Sequence, residues 1–125
     1  MLDNDAFSRW LGIELIEIKA GFCKLKLITR PDMLNGFDIL HGGICYSLAD
    51  SALAFAANSY GHHALSVETS ISHHTKVLAN EELVAEAKNL FTGDKFSTFQ
   101  VDVLNTSNEL VSSFKGTVYN SSRIW

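Results

Sequence analysis

One carboxylate interrupts the most apolar stretch of this 125-residue chain. Asp50 is the only formally charged residue between Asp38 and Glu68, and most residues around it are alanine, leucine, isoleucine or phenylalanine. Burying an unpaired carboxylate costs free energy. An acid in such a place therefore reaches solvent, bonds a neighbouring loop or serves a site, and residue type alone leaves these alternatives open.

The residues around Asp50 favour a groove over a packed surface. In a helix, the neighbours of a residue lie three, four and seven positions away. For Asp50 they are Gly43, Tyr46, Ser47, Leu53, Ala54 and Ala57. The face that they form is small, weakly polar and continuous with the start of the helix.

The tripeptide His41-Gly42-Gly43 lies directly before the apolar stretch. Two glycines let another group approach the backbone, and the first amides of a helix lack intrahelical partners and carry the positive end of its dipole. Such amides can stabilise a developing oxyanion. Together with Asp50 two turns later on the same side, they are the parts needed to hydrolyse an acyl compound without a metal. The glycines alone are equally consistent with a tight turn.

The elements that would position these residues follow from the apolar periodicity. Residues 3–10 are predicted to form a short amphipathic helix, and residues 13–30 a strand pair broken at Ala20-Gly21. Residues 31–43 read as a loop. The segment from Gly43 to Gly61 is predicted to be a helix that is apolar on nearly every side, which belongs at the centre of a fold.

An antiparallel meander is predicted after the central helix. Its strands lie at about 65–79, 82–92, 95–105 and 109–120, with hairpin turns at 92–94 and 106–108. On the first strand, one face is predicted to carry Leu65, Val67, Thr69, Ile71, His73, Thr75 and Val77. The element order indicates a single α+β domain over residues 1–125, with one sheet that curls around the apolar helix.

Composition argues against several classes of protein. Hydrophobic residues make up 46% of the chain and charged residues 19%, which is unlike a disordered protein. A net charge of −4 argues against a nucleic-acid partner. The longest apolar segment, residues 44–57, is shorter than the roughly 18 residues of a membrane span. Two cysteines and no apolar leader favour reduced thiols and a cytoplasmic location without a membrane partner.

The segment LNGFDILHGGICYSLADSALAFAANS resembles the acyl-CoA thioesterases of the hotdog fold, most closely their phenylacetate-degradation branch. The positions that fit the motif are Asn35, Gly36, His41, Gly42, Gly43, Leu48, Ala49, Asp50 and Asn58. The resemblance implies a curved antiparallel sheet of five or six strands wrapped around a long central helix. It also implies hydrolysis of an acyl-CoA to the free acid and the CoA thiol, with no cofactor or metal.

The resemblance implies roles for particular residues. Asp50 matches the catalytic carboxylate, which attacks the thioester or activates water, and Gly43 matches the amide donor to the thioester oxygen. Asn35 matches the asparagine that positions the carbonyl or the water, and His41 matches the histidine that supports the turn. Substrate contacts are expected from Gly42, Ser47, Thr69, Ser70, Ser72 and His73. The family also implies a homo-oligomer, a dimer or a tetramer, with each site at a subunit boundary.

One strand departs from the family pattern. Relatives commonly carry a sequence like D-Y/F-L-R-P, whereas residues 72–77 here read SHHTKV. We therefore expect a smaller or more polar acyl group than a long fatty chain. A non-catalytic acyl-CoA-binding module on the same fold is the alternative. A dehydratase of the related hydratase branch is a third, although its Asp-His pattern is not found.

The remaining histidines and cysteines have simpler interpretations. His62 and His63 follow Gly61 and read as a solvated turn, with metal binding as the alternative. His73 and His74 are adjacent in a strand and point to opposite faces, so they do not fit one metal site. Cys45 reads as a buried filler of the helix.

Overall fold

A six-stranded antiparallel sheet and one long helix make up most of residues 2–125, the part of the chain that the computed structural model describes. The helices are α1 (Ala6–Leu11) and α2 (Gly42–Asn58). The strands are β1 (Glu14–Lys19), β2 (Phe22–Ile28), β3 (His62–His73), β4 (Glu82–Thr92), β5 (Phe96–Leu104) and β6 (Leu110–Ile124). Their order is β1-β2-β4-β5-β6-β3, so β1 and β3 are the outer strands. The predicted α+β class is confirmed.

Small and aliphatic side chains join α2 to the sheet. The helix buries Leu48, Ala49, Ala52, Leu53 and Ala56 completely. The sheet supplies equally buried residues from four strands, among them Leu25, Leu83, Ala85, Val101 and Phe114. Because alanine side chains are small, the backbone of α2 lies close to the strands. The approach is close at Gly116 of β6, where a Cβ would lie 2.5 Å from Leu53 Cδ2.

The short helix α1 packs against α2 through a buried pair of hydroxyls. Ser8 Oγ and Ser51 Oγ lie 2.8 Å apart, and Ser8 has no exposed surface. The Asp5 carboxylate caps α1 by accepting a hydrogen bond from the Ser8 N–H at 3.0 Å. α1 therefore starts three residues later than predicted. This docking brings Asp5 to the side of α2 that carries Asp50.

β3 differs from the prediction both in its length and in which side chains point to each face of the sheet. Its pairing with β6 shifts register between Ser66 and Glu68, so an extra residue bulges out of the strand. At the bulge, the alternation of side chains between the two faces of the strand changes. The Leu65 and Val67 side chains are 65% and 57% exposed. The prediction that Leu65 and Val67 share a face with Thr69, Ile71 and His73 is therefore wrong. β1 carries a similar bulge between Leu15 and Glu17.

The segment after β3 leaves the sheet earlier than predicted. β3 ends at His73, whereas the prediction continued it to residue 79. The Leu40 N–H donates to the Val77 carbonyl at 2.7 Å, and Thr29 Oγ1 donates to the Leu78 carbonyl at 2.7 Å. The first bond holds Val77 against the loop before α2, and the second holds Leu78 against the residue that follows β2. That loop and the end of β3 therefore meet at the start of the helix.

Replacing Gly116 with alanine is expected to destabilise the fold, because the added methyl meets the fully buried Leu53. Overpacking of this kind costs about 1–3 kcal/mol in the free energy of unfolding. Urea denaturation monitored by circular dichroism measures the change. The matched control is Gly36→Ala, whose methyl would have no atom within 4 Å. Equal stability of the two variants would contradict the close packing of Gly116 against Leu53.

Candidate active site

The first turn of α2 is capped by the histidine that precedes it. His41 Nδ1 accepts a hydrogen bond from the Gly43 N–H at 2.8 Å. The Gly43 amide, predicted as the donor to an oxyanion, is therefore engaged within its own turn. The Gly42 N–H, one residue earlier, has no hydrogen-bond partner within residues 2–125. The unengaged amide at the start of the helix belongs to Gly42.

A cavity of about 310 Å³ lies beside this first turn. Asn35, Gly42, His73 and Lys76 are among its polar lining residues, and Ile39, Leu40, Val77 and Val111 are among the apolar ones. In the described part of the chain, no acidic residue lines it. With an amide donor, a lysine and no carboxylate, the cavity suits a carbonyl oxygen or an anion.

Asn35 is oriented by its own loop. Its Oδ1 accepts hydrogen bonds from the Phe37 N–H at 2.8 Å and from the Ile39 N–H at 3.4 Å. This arrangement is an Asx turn, in which a side-chain oxygen satisfies backbone donors. The Nδ2 group has no partner among the described residues and is left as a donor at the cavity.

Asp50 lies on an open strip of α2 that consists of Gly43, Ser47, Asp50 and Ala54. These residues keep some exposure while most of the helix is buried. The Ser47 hydroxyl donates to the Gly43 carbonyl at 2.7 Å, so it is satisfied within the helix. The predicted groove beside Asp50 is thus an uncovered face.

The Asp50 carboxylate is half-buried and has no hydrogen-bond partner within residues 2–125. Burial raises the pKa of Asp50 above its usual value, and the negative charge of Asp5 raises it further. Eight residues of helix separate Gly42 from Asp50, a rise of roughly 12 Å. Asp50 accordingly does not line the cavity at the start of its own helix.

The predicted contact residues on β3 fall on two faces. The Thr69 hydroxyl lies 2.6 Å from the Tyr46 hydroxyl of α2, and His73 lies against Gly42, so both face the helix. Strand alternation turns Ser70 and Ser72 to the opposite face. A single chain therefore brings Asn35, Gly42 and His73 together, but not Ser70 and Ser72.

Three residues near the site were missed by sequence reasoning. Tyr46 was noted only as a helical neighbour of Asp50, although it packs edge-on against Phe114 and contacts Thr69. Ser112 is fully buried and lies 3.1 Å from His73 Nδ1. Asp5 acts on Asp50 across the α1–α2 contact. Nothing in the local sequence indicates the contact of Ser112 with His73 or the effect of Asp5 on Asp50, because each joins segments that are far apart in the chain.

Other candidate residues lie outside the site or are unreactive. His63 stacks on Trp125 with ring centroids 3.9 Å apart, near the far end of α2. Burial raises the pKa of the Cys23 thiol to about 12, which makes it a poor nucleophile. Across residues 2–125, no three His, Cys, Asp or Glu side chains gather as metal ligands do. No helix in that range has the length and hydropathy to cross a bilayer.

Comparison with known proteins places this arrangement in a family. The model of the thioesterase superfamily matches residues 37–112. A relative in Archaeoglobus fulgidus named "Putative esterase" is 40% identical over 119 residues, which cover 95% of this chain and 77% of the relative. The acyl-coenzyme A thioesterase PaaI of Escherichia coli K12 is 33% identical over 116 residues, 93% of this chain and 83% of that protein.

A solved structure agrees with the sequence relatives. The E. coli PaaI protein from the phenylacetic acid degradation operon superposes with a TM-score of 0.97 at 31% identity, covering 99% of this chain and 90% of that chain. The fold and site thus define a hotdog-fold enzyme that hydrolyses thioesters. The chain belongs to the thioesterase superfamily, in its phenylacetate-degradation-type branch. The resemblance found in the sequence is confirmed.

Asp50→Asn is expected to raise the Tm at neutral pH. A raised pKa means that folding disfavours the ionised carboxylate, so stability falls as the pH rises through the pKa of the folded state. The neutral amide removes this cost, and the gain in Tm should shrink in acid, where Asp50 is protonated. Calorimetry across pH measures both effects, with the exposed Asp3→Asn as control. A gain that does not depend on pH would contradict the assignment to ionisation.

Proposed function

We propose that the enzyme hydrolyses acyl-CoA thioesters to the free acid and the CoA thiol, with Asp50 as the catalytic carboxylate. The single observation that carries the proposal is the Asp50 carboxylate, half-buried and unpaired on the open strip of α2. A structural acid would have acquired a partner, because an unpaired carboxylate is costly in such surroundings. The likeness to the acyl-coenzyme A thioesterase PaaI supports CoA as the thiol.

The thioester carbonyl is assigned to the cavity at the start of α2. There the Gly42 N–H is unengaged, it lies at the positive end of the helix dipole, and Asn35 Nδ2 is a second nearby donor. Donors aimed at the carbonyl oxygen stabilise the negative charge that develops on it. The Gly43 amide would join them only if His41 released it, so Gly42 is the better candidate.

Asp50 is assigned to the site of a second subunit. A general base must lie within about 3 Å of the proton that it takes, or one water away. The helix rise of roughly 12 Å between Gly42 and Asp50 exceeds that reach. A two-fold axis perpendicular to α2 would set the two equivalent helices antiparallel and place the middle of each beside the start of the other. Each site would then combine Gly42 of one copy with Asp50 of its partner.

The outer strand β3 supports such a homo-oligomer. It has an unpaired edge and exposes Leu65 and Val67, two large apolar side chains. Exposed apolar edges of this kind mark places where another chain is added. Pairing two copies here would cover the open strip of α2 and bring Ser70 and Ser72 near the second subunit. Dimer and tetramer both satisfy this arrangement.

The reaction then needs only water and these groups. Ionised Asp50 takes a proton from water, the hydroxide oxygen attacks the carbonyl carbon, and the C–S bond breaks as the tetrahedral intermediate collapses. The thiolate leaves and recovers a proton from solvent. Direct attack by Asp50 gives a mixed anhydride that water then hydrolyses. The modest, partly polar cavity favours a small or aromatic acyl group. Substrate contacts from Ser47 and Thr69 stay predictions, because neither residue lines the cavity. The cytoplasmic location also stays a prediction from sequence.

The decisive test is thiol release from a panel of acyl-CoAs with small, aromatic, medium and long acyl groups. Asp50→Asn and Asp50→Ala are expected to lower kcat by at least about 10²–10³, the usual cost of one oxyanion donor. Both variants should still fold and bind the substrate. Tight binding by the wild type without thiol release would support a binding module instead, and an active Asp50→Asn would exclude Asp50 as the catalytic group. Label in Asp50 after single-turnover hydrolysis in ¹⁸O water would establish the nucleophilic route, because it requires an anhydride that water opens at the Asp50 carbonyl.

Subunit complementation tests the shared site. Asp50→Asn and Gly42→Pro are each expected to be inactive. Proline is accepted at the first position of a helix, but it removes the N–H of residue 42, and its Cβ would displace the His73 ring, which lies 2.9 Å away. Hybrids refolded from a mixture contain one intact site and one with both defects. Recovery of roughly a quarter of wild-type activity is expected, because half of random dimers are hybrids. No recovery in verified hybrids would place Gly42 and Asp50 in the same subunit's site.

A further inference from the structure

His73 is the side chain closest to the assigned carbonyl site that the proposed mechanism does not use. A Cβ on Gly42 would lie 2.9 Å from His73 Nε2, so the ring rests directly on the first residue of α2. Both residues line the same cavity. This contact lies within one chain and is independent of how subunits pair.

The other ring nitrogen is fixed by a buried hydroxyl. His73 pairs with Ser112 across β3 and β6, and its Nδ1 lies 3.1 Å from Ser112 Oγ. Ser112 has no exposed surface. The contact at Nδ1 therefore orients the imidazole, with Nδ1 toward Ser112 and Nε2 toward Gly42.

The contact with Ser112 links that hydroxyl to the protonation of the ring. The Ser112 hydroxyl can donate to Nδ1, and the proton of the neutral ring then lies on Nε2. Nε2 is the nitrogen that lies against Gly42, at the cavity of about 310 Å³.

We infer that Ser112 donates to His73 Nδ1 and that His73 donates its Nε2–H to the thioester carbonyl oxygen, as an oxyanion donor beside the Gly42 amide and Asn35 Nδ2. The inference rests on the hydrolysis proposed above. His73 keeps its Nε2 proton during hydrolysis, so the proton transfers among Asp50, water and the leaving thiolate are unchanged. Ser112 is a positioning residue, because it acts on the substrate only through the ring.

The test compares His73→Gln with His73→Phe. Glutamine can place an amide donor near the position of Nε2, whereas phenylalanine keeps the ring shape without any donor. His73→Phe is expected to lower kcat about 10- to 100-fold with little change in KM, less than the loss of a sole donor. His73→Gln should retain most of the activity. His63→Gln, at the far end of α2, is the control and should match the wild type.

A second measurement does not depend on catalysis. Imidazole ¹⁵N chemical shifts of the wild type should show the neutral His73 ring protonated at Nε2, and Ser112→Ala should weaken that preference. Protonation at Nδ1 would overturn the inference, as would a His73→Phe variant with unchanged kcat or a folded His73→Gln variant as slow as His73→Phe. Asp50→Asn in the same series separates the two proposals. If it is inactive while His73→Phe is fully active, only the role of His73 fails; if it is active, the hydrolytic role of Asp50 fails.

Discussion

Removing the side chains of α2 from water is the interaction on which the rest of this fold depends. The helix is apolar on nearly all sides, and each large aliphatic side chain that it buries contributes about 1.5–3 kcal/mol relative to exposure. A flat sheet could cover only one side of such a helix, so the strands must curve around it. The alanines of α2 and Gly116 of β6 then set how closely helix and sheet approach.

The candidate functional groups lie on the parts of α2 that the sheet does not cover. The first turn of α2 lies beside the Asn35 loop and the end of β3, and the residues of the open strip keep part of their surface exposed. Asp50 stands on that strip at a cost to stability, because its burial is compensated by no partner among the described residues. A better-covered helix would be more stable, but it would have no accessible carboxylate and no free amide.

Much of this arrangement was predictable from local sequence. The apolar helix, its start at paired glycines and the isolation of Asp50 are all properties of adjacent residues, and the meander follows from period-two alternation. The bulge in β3 was not predictable. An extra residue changes which side chains point to each face of the sheet, but it leaves the composition of the strand typical of a strand. The pairs Ser112–His73 and Asp5–Asp50 were missed for a related reason: each joins segments that only the completed fold brings together. The hydrogen bond from the Gly43 N–H to His41 depends on the rotamer of the His41 side chain, and the spacing of residues in the sequence does not determine a rotamer.

The bulges in β1 and β3 also limit how the protein can associate. A sheet whose outer strands are regular can add strands without end, and such growth leads to fibres. Here both outer strands are interrupted, so a regular foreign strand cannot satisfy their hydrogen-bonding groups along the whole edge. A second copy carries the matching irregularity at the symmetry-related position. The same register shift that made β3 hard to predict from the sequence thereby acts against open-ended aggregation.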